Sequence, residues 1–280
     1  MARRKLANRR LAGQTAWISG ATKGIGEGTA LLFAEEGANV ALIGRDESDG
    51  ARVVRTIKRR GGQALFAPCD VAREQEVRTS LEQTVATFGG LQILVNNAGI
   101  VDVRMLHDYT EEQWNHVMDV NVKSLFFAFK HAFAYLRKNK RSYVVNVGSI
   151  SSFVGQSSTP VYTTSKGAVL QLSRSIALDY ARYGIRCNCV CPGITDTPML
   201  RQHLNATPDP EAHLAQRLNR VPLNVALTPA DVAKSILYLC CEDSAGVTGT
   251  SLIVDAGYLA TAEWDCSRLK RRNLPRKACR

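Results

Sequence analysis

The sequence has no run of about 18 consecutive apolar residues, so nothing in it predicts a membrane-spanning helix. Proline is scarce, with 9 among 280 residues, while the hydrophobic fraction of 45% and the charged fraction of 22% are ordinary for a folded chain. This composition excludes collagen-like, low-complexity and wholly disordered proteins. No apolar core follows the basic N-terminus, so we identify no signal peptide and expect a cytoplasmic protein.

Cysteine is also sparse, because 8 residues in a chain of this length do not indicate a disulfide scaffold. Cys187, Cys189 and Cys191 alternate in a strand-like run that lacks the CxxC spacing of metal sites, so we interpret them as buried packing residues. The histidines form no i, i+4 pair and no ligand cluster. We therefore predict no metal, and we assign all five histidines to the surface or to packing: His107, His116, His131, His203 and His213.

The net charge of +11 comes from the two ends of the chain. Residues 1–10 and 266–280 are rich in Arg and Lys and contain no acidic residue, whereas the segment between them is close to neutral. We predict a basic N-terminal tail over 1–10, one domain over 11–260 and a basic C-terminal extension over 261–280. Charge confined to the ends argues against a nucleic-acid-binding face. Contact of the ends with an anionic surface or partner stays open, although we expect neither nucleic acid nor membrane as a partner.

Strand-length apolar runs alternate with segments of helical periodicity, which is typical of βαβ units. The pattern predicts a single doubly wound α/β domain of the Rossmann type, with a parallel seven-stranded sheet covered by helices on both faces. Four prolines interrupt residues 193–227, which we predict to be a substrate loop that contains helices, at the strand ends. The predicted strands are 15–19, 39–43, 64–67, 93–96, 143–147, 186–190 and 251–254, and the predicted helices are 25–36, 48–60, 73–88, 110–138, 160–183 and 229–240.

A glycine-rich loop follows the first predicted strand and opens a helix, with the spacing G-x-x-x-G-x-G from Gly20 to Gly26. Glycines there let the backbone approach a pyrophosphate, and the helix N-terminus favours its negative charge. Arg45 follows the second strand, where an Arg accommodates the 2′-phosphate of NADP. Lys23 is expected beside the same phosphate. The two cations favour NADP(H), and NAD(H) stays possible because Asp46 could reach a ribose.

Tyr162 and Lys166 are four residues apart in a predicted helix, so their side chains project from the same face. An ammonium group near a phenol stabilises the phenolate. This spacing predicts a lowered pKa for Tyr162 and a phenol that acts as a general acid–base.

Five motifs in order resemble the classical short-chain dehydrogenase/reductase family over about residues 11–258. They are the glycine loop 19–26, Asp70-Val71, the Asn-Asn-Ala-Gly sequence 96–99, Ser149 with Tyr162 and Lys166, and Pro192-Gly193. One departure is Ser19, where the family usually has Thr and where a hydroxyl is retained. The basic ends fall outside the resemblance.

The resemblance implies the catalytic roles. Tyr162 would be the acid–base, Ser149 would polarise the substrate oxygen, and Lys166 would bind the nicotinamide ribose and lower the Tyr162 pKa. Asn121 would hold a water that links Lys166 to solvent. The implied nucleotide contacts are Gly20, Thr22, Lys23, Gly24, Ile25, Gly26, Arg45, Asp70, Val71, Asn97, Ala98, Gly99, Tyr162, Lys166, Pro192, Gly193, Ile194 and Thr197, with Asp70 and Val71 at adenine and Thr197 near the carboxamide.

The leading prediction is an NADP(H)-dependent oxidoreductase that interconverts a secondary alcohol and a ketone. The segment 149–159 is polar, and Ser151 and Gln156 would meet substrate hydroxyls along with Ser149 and Tyr162, which favours a sugar or polyol. A 3-oxoacyl thioester reductase is the alternative within the family, and a non-catalytic nucleotide-binding sensor is an alternative of another class. The resemblance and the broad apolar surfaces of helices 110–138 and 160–183 predict a homotetramer.

Overall fold

The computed structural model describes residues 9–261 of the chain. Seven strands form one parallel sheet in the order β3-β2-β1-β4-β5-β6-β7, which confirms the predicted doubly wound α/β fold. The order reverses between β1 and β4, so the loops that follow these two strands lie side by side. The strands are β1 Thr15–Ser19, β2 Asn39–Gly44, β3 Gln63–Pro68, β4 Ile93–Asn96, β5 Ser142–Val147, β6 Ile185–Pro192 and β7 Ser251–Val254.

The helices follow the predicted segments, with one interruption. The segment predicted as a continuous helix over 110–138 contains a π-helical turn at Asp119–Lys123. Such turns are frequent at functional sites, and this one carries Asn121. The helices are α1 Gly24–Glu35, α2 Glu47–Arg59, α3 Glu74–Phe88, α4 Glu111–Met118, α5 Ser124–Leu136, α6 Pro160–Tyr180, α7 Pro198–Asn205, α8 Pro210–Leu218 and α9 Pro229–Leu239.

Two hydrophobic layers enclose the sheet because successive strand residues point to opposite faces. On one face, Ile18 of β1 belongs to the cluster that contains Phe33 of α1 and Ile236 of α9. On the other face, its neighbour Trp17 belongs to the cluster that contains Leu81 of α3. The sheet is therefore rigidly held, and the loops at its carboxyl edge are fixed at their bases.

The predicted substrate loop over 193–227 contains two short helices. Pro198 and Pro210 occupy the first turn of α7 and α8, where a missing N–H removes no helical hydrogen bond. The preceding residues Thr197 and Asp209 cap these helices. A bridge between Thr195 and Leu227 joins the two ends of the segment. The segment is thus a loop that contains helices, as predicted, and two of its prolines begin them.

Two further predictions concern the ends of the chain and the cysteines of β6. Arg10, predicted to belong to the N-terminal tail, forms an ion pair with Glu36 at 2.6 Å. Residues 1–8 of that tail and residues 262–280 of the C-terminal extension lie outside the described residues. Cys187, Cys189 and Cys191 are fully buried and free, as predicted.

Candidate active site

The glycine loop is tied to the loop after β4 through one hydroxyl group. Ser19 Oγ accepts hydrogen bonds from the backbone N–H groups of Asn97 and Ala98, each at 3.0 Å. Asn97 Nδ2 in turn donates to the carbonyl oxygens of Ser19 and Gly20. A hydroxyl is all that this contact needs, so Ser19 serves where the family usually has Thr.

The glycines of the loop permit a close approach between backbone segments. A Cβ on Gly26 would lie 2.1 Å from the carbonyl oxygen of Gly20, so Gly26 packs behind the loop and does not line the cleft. Gly24 has a φ of +55° and begins α1, whose first turn has no side-chain cap from Lys23. Gly24 and Ile25 line the cleft, so the uncapped helix N-terminus fits the pyrophosphate of a nicotinamide nucleotide.

The adenosine end of the cleft lies at the carboxyl ends of β2 and β3. Arg45 is exposed, lines the cleft, and makes no ion pair or hydrogen bond within residues 9–261. Lys23 Nζ lies 3.1 Å from Asp46 and 2.7 Å from Asp49, so its charge is already compensated. This corrects the prediction of two cations available to a 2′-phosphate. The Asp46 carboxylate also caps α2 through the Asp49 N–H, and these hydrogen bonds lower its pKa.

Asp70 and Val71, the predicted adenine contacts, also line the cleft. Asp70 Oδ1 accepts a hydrogen bond from the Ala72 N–H at 3.1 Å, and Glu76 accepts the Asp70 N–H at 2.7 Å. The turn after β3 is therefore held by its own side chains. The remaining predicted nucleotide residues that line the cleft are Gly20, Thr22, Asn97, Ala98, Gly99, Tyr162, Lys166, Pro192, Gly193, Ile194 and Thr197.

The structure brings Ser149, Tyr162 and Lys166 together in the wall of the cleft. Ser149 follows β5, while Tyr162 and Lys166 lie one turn apart near the start of α6. Lys166 Nζ donates to the carbonyl oxygen of Val147 at 2.8 Å and lies 5.6 Å from the centre of the Tyr162 ring. The spacing of four residues thus places Tyr162 and Lys166 on the same side of α6, as predicted.

The electrostatics of this cluster differ from the prediction. Burial raises the pKa of Tyr162, and a hydrogen bond with Ser149 only partly opposes this effect. Burial also lowers the pKa of Lys166 to about 8, because the ammonium loses its hydration. Desolvation is thus the largest cause of the pKa shift of both groups, and for Tyr162 its direction is opposite to the predicted lowering.

Asn121 lies in the π-helical turn and is fully buried behind the cleft wall. Its amide nitrogen donates to Ile100 O and Ser165 Oγ, each at 2.9 Å, and its oxygen accepts the Ile100 N–H at 2.8 Å. A Cβ on Gly99 would lie 3.4 Å from both Asn121 Oδ1 and Lys166 Nζ. Asn121 is thus beside Lys166, and its side chain holds the loop after β4 in position.

Ser149, Ser151 and Gln156 form a hydrogen-bonded chain. Ser149 Oγ lies 3.2 Å from Ser151 Oγ, which donates to Gln156 Oε1 at 2.8 Å. Gln156 lines the cleft, whereas Ser151 is buried behind it. The structure therefore does not place Ser151 among the groups that face a substrate, and it gives this residue a position that supports Ser149.

Thr197 connects the glycine loop to the segment 193–227. Its Oγ1 caps α7 through the Leu200 N–H, and its methyl carbon would lie 3.2 Å from a Cβ on Gly24. Gly193, at the end of β6, has no room for a side chain because a Cβ would lie 2.8 Å from Asp255 Cα. Gly193 and Thr197, which the motif predicts beside the nicotinamide, thus lie in tightly packed parts of the cleft wall.

The cleft continues into a cavity with a total volume of about 1090 Å³. Sequence reasoning missed the side chains at its far end, because it assigned every histidine to the surface or to packing. The structure places His116, His203, His213 and Arg217 in the lining. The signal was present in the sequence, since His213 and Arg217 are four residues apart on one helix face. No group of three His, Cys, Asp or Glu within residues 9–261 could hold a metal ion.

An open parallel sheet with a nucleotide loop and a Ser–Tyr–Lys cluster in one cleft defines a nicotinamide-dependent oxidoreductase. Residues 20–259 match a protein-family model described as enoyl-(acyl carrier protein) reductase. An uncharacterised oxidoreductase of Thermotoga maritima is 40% identical over 89% of this chain and 98% of its own length. A cyclopentanol dehydrogenase of a Comamonas species is 35% identical over 87% and 96%, and an L-fucose dehydrogenase of Bos taurus is 35% identical over 89% and 90%.

A crystal structure described as a putative short-chain alcohol dehydrogenase from Sinorhizobium meliloti has a TM-score of 0.85 to this fold. It is 30% identical and covers 90% of this chain and 98% of its own. The chain belongs to the short-chain dehydrogenase/reductase family. It is an oxidoreductase that acts on the CH–OH group of an alcohol with NAD(P) as the acceptor.

Proposed function

We propose that the protein is an NADP(H)-dependent oxidoreductase that interconverts a secondary alcohol and a ketone, with Tyr162 as the acid–base. The observation that carries this proposal is the convergence of Ser149, Tyr162 and Lys166 on a cavity that also contains the nucleotide loop. A non-catalytic sensor is disfavoured because this cluster is complete.

The nicotinamide nucleotide supplies the hydride chemistry when it is bound. Ser149 hydrogen-bonds the substrate oxygen and holds it beside Tyr162. The Tyr162 hydroxyl gives its proton to the carbonyl oxygen during reduction and receives the alcohol proton during oxidation. Because burial raises the Tyr162 pKa, the phenol holds its proton at neutral pH, which favours ketone reduction there. Oxidation requires loss of that proton, so its rate rises with pH.

The proposed preference for NADP(H) depends on Arg45. Its guanidinium lines the adenosine end of the cleft and has no acidic partner within residues 9–261. The competing carboxylate, Asp46, is bound to Lys23 and to the N-terminus of α2. Arg45 is thus the cation available to a 2′-phosphate, and Asp46 is less available to a ribose hydroxyl.

We expect the substrate to be a sugar or a polyol. Gln156 supports it from the cavity wall, and one relative is named for oxidation of L-fucose. The apolar residues Val101, Val103 and Met199 line the same cavity and would contact the carbon skeleton. The family model's description keeps acyl thioesters as the second candidate. Assays of polyols, sugars and acetoacetyl thioesters with both nucleotides separate these classes.

The variant Tyr162→Phe tests the acid–base assignment. We expect a loss of about 10²–10⁴-fold in kcat, because general acid–base catalysis contributes that much, while nucleotide affinity is retained. Tyr180→Phe makes the same chemical change on the same helix, outside the cavity lining, and should leave turnover unchanged. A Tyr162→Phe variant with more than about a tenth of the wild-type rate, when chemistry is rate-limiting, contradicts the proposal.

A further inference from the structure

The far end of the cavity is lined by basic side chains without an acidic one. Arg217 and His213 project from α8, and His203 projects from the last turn of α7. The acidic residues in the lining are Asp46 and Asp70, both at the adenosine end. A low-dielectric cavity wall strengthens the field of the unbalanced charge. The part of the cavity lined by α7 and α8 is therefore electropositive.

Arg217 is half-buried, and within residues 9–261 its side chain makes no hydrogen bond or ion pair. Two arginines nearby in the sequence differ from it: Arg201 forms an ion pair with Asp196, and the Arg220 guanidinium lies over the Tyr258 ring, 5.2 Å from its centre. Burial lowers the pKa of Arg217, yet a guanidinium stays protonated. Its guanidinium lines the cavity, so its N–H groups are available to hydrogen-bond an anionic ligand there.

His203 lies close enough to sense this charge. Burial lowers the His203 pKa, and repulsion from the Arg217 guanidinium lowers it further. The two residues come from different helices, α7 and α8, so the segment 193–227 has to fold before they can meet.

Hydrophobic packing holds α7 and α8, the helices that carry Arg217, His203 and His213. Leu200 and Leu204 of α7 form a small hydrophobic cluster with Ile194 and Val221, and Leu214 and Leu218 of α8 pack against it. The cluster fixes the faces of the two helices, so the backbone positions of Arg217 and His203 are set before a ligand arrives. Preorganised donors cost less conformational entropy on binding than mobile ones.

We propose that Arg217, with His203 and His213, binds an anionic group on the alcohol or ketone substrate: a carboxylate, a sulfonate or a phosphate. The proposal rests on the proposed function and names its substrate class. A planar guanidinium matches such groups through two parallel hydrogen bonds. The phosphates of the nucleotide are accounted for at the other end of the cavity, at the N-terminus of α1 and at Arg45. The anion at Arg217 therefore belongs to the second ligand.

The test measures binding to the full chain saturated with oxidised nucleotide, which cannot react with a ketone. The probes are levulinate and its homologues longer by one and two carbons, each compared with its methyl ester by calorimetric titration. We expect at least one acid to bind about tenfold or more tightly than its ester, because a charge-assisted hydrogen bond is lost in the ester. Acids that bind no better than their esters at every length, or that do not bind at all, overturn the proposal.

Three variants test whether Arg217 causes the tighter binding of the acids. Arg217→Gln should remove the preference for the acid, and Arg217→Lys should restore part of it because the charge is kept. Arg220→Gln removes an equal charge three residues away, outside the cavity lining, and should leave the preference intact. Thermal unfolding and nucleotide affinity should match the wild type in all three. Persistence of the preference in Arg217→Gln, or weaker nucleotide binding by that variant, contradicts an anion subsite for the substrate.

The proposed function can fail separately. Turnover of neutral alcohols without preference for acids rejects the anion subsite and leaves the oxidoreductase assignment intact. Tight binding of the acids by Arg217, together with full turnover by Tyr162→Phe, rejects the catalytic assignment and leaves the subsite intact.

Discussion

At the scale of single residues, burial destabilises the charged form of Lys166. Its side chain is nearly inaccessible, with 5% exposure, and its ammonium donates to one carbonyl group. The fall of its pKa from 10.5 to about 8 corresponds to roughly 3 kcal/mol of unfavourable burial. The protein thus keeps a destabilising cation where the proton-transfer chemistry needs one.

The variant Lys166→Met should lose turnover and gain stability at neutral pH. In the wild type the penalty is complete below about pH 8, and it is relieved as the pH rises from 8 to 10.5, where the unfolded chain binds more protons than the folded one. The stability advantage of Lys166→Met should therefore shrink by up to about 3 kcal/mol between pH 7 and pH 10. Urea unfolding at both pH values measures it, and an advantage independent of pH contradicts the assigned burial.

Arg45 provides a second prediction at this scale. Arg45→Asp should shift the ratio of kcat/KM for NADP(H) over NAD(H) by about tenfold or more toward NAD(H), since a charge-assisted hydrogen bond contributes about 1.5–3 kcal/mol. Arg55→Asp makes the same charge change on the exposed surface of α2, outside the cavity lining, and should leave the ratio unchanged. A wild-type preference for NAD(H), or an unaffected ratio in Arg45→Asp, rejects the NADP(H) assignment.

At the scale of elements, the cleft depends on turns that are too tight for side chains. The β1–α1 loop folds back so far that Gly26 lies against the carbonyl oxygen of Gly20. Thr197 of the segment 193–227 then packs against Gly24 in the same loop. The nucleotide loop and the substrate segment are therefore in direct contact, and a change in one affects the other.

The variant Gly26→Ala tests the tightness of this loop. We expect it to lower the free energy of unfolding by about 1–3 kcal/mol, as overpacking does, and to weaken nucleotide binding because Gly20 must move. Gly246→Ala, where a Cβ would meet nothing within 4 Å, should be neutral in both measurements. Urea unfolding and fluorescence titration with the nucleotide provide the data. Equal behaviour of the two variants argues against a fixed loop geometry.

At the scale of the whole molecule, α5 and α6 expose large apolar side chains. Phe126 on α5 is 52% exposed, and Leu178 on α6 is 81% exposed. Exposed apolar groups on two long helices are typical of an interface between copies of a chain. No helix within residues 9–261 is long and apolar enough to cross a bilayer.

The predicted homotetramer can be tested at α5 and α6, because their exposed apolar side chains would form its interface. Light scattering at micromolar concentration should give four times the chain mass of 30.7 kDa. Leu178→Lys should reduce that mass, because it places a charge in the predicted interface. Leu106→Lys, at an exposed leucine away from both helices, should not. A wild-type mass equal to that of one chain overturns the prediction.

The sequence by itself determined what depends on local spacing. Alternating apolar runs specified the strands, and the positions of Gly20, Tyr162 and Lys166 within a βαβ chain specified the cleft and the helix face. The predicted and observed ends of these helices differ by only a few residues. These features follow from the periods of strands and helices, so one chain contains all the information they need.

Only the tertiary structure decided which partner each charged or polar group has. Lys23 is bound by two carboxylates, Ser151 lies behind the cleft, and burial outweighs the hydrogen bond with Ser149 in setting the direction of the Tyr162 pKa shift. Arg217 became a candidate site residue because the α7–α8 segment folds over the cavity. Such pairings depend on desolvation and on contacts between residues far apart in the chain, and neither is a function of local sequence.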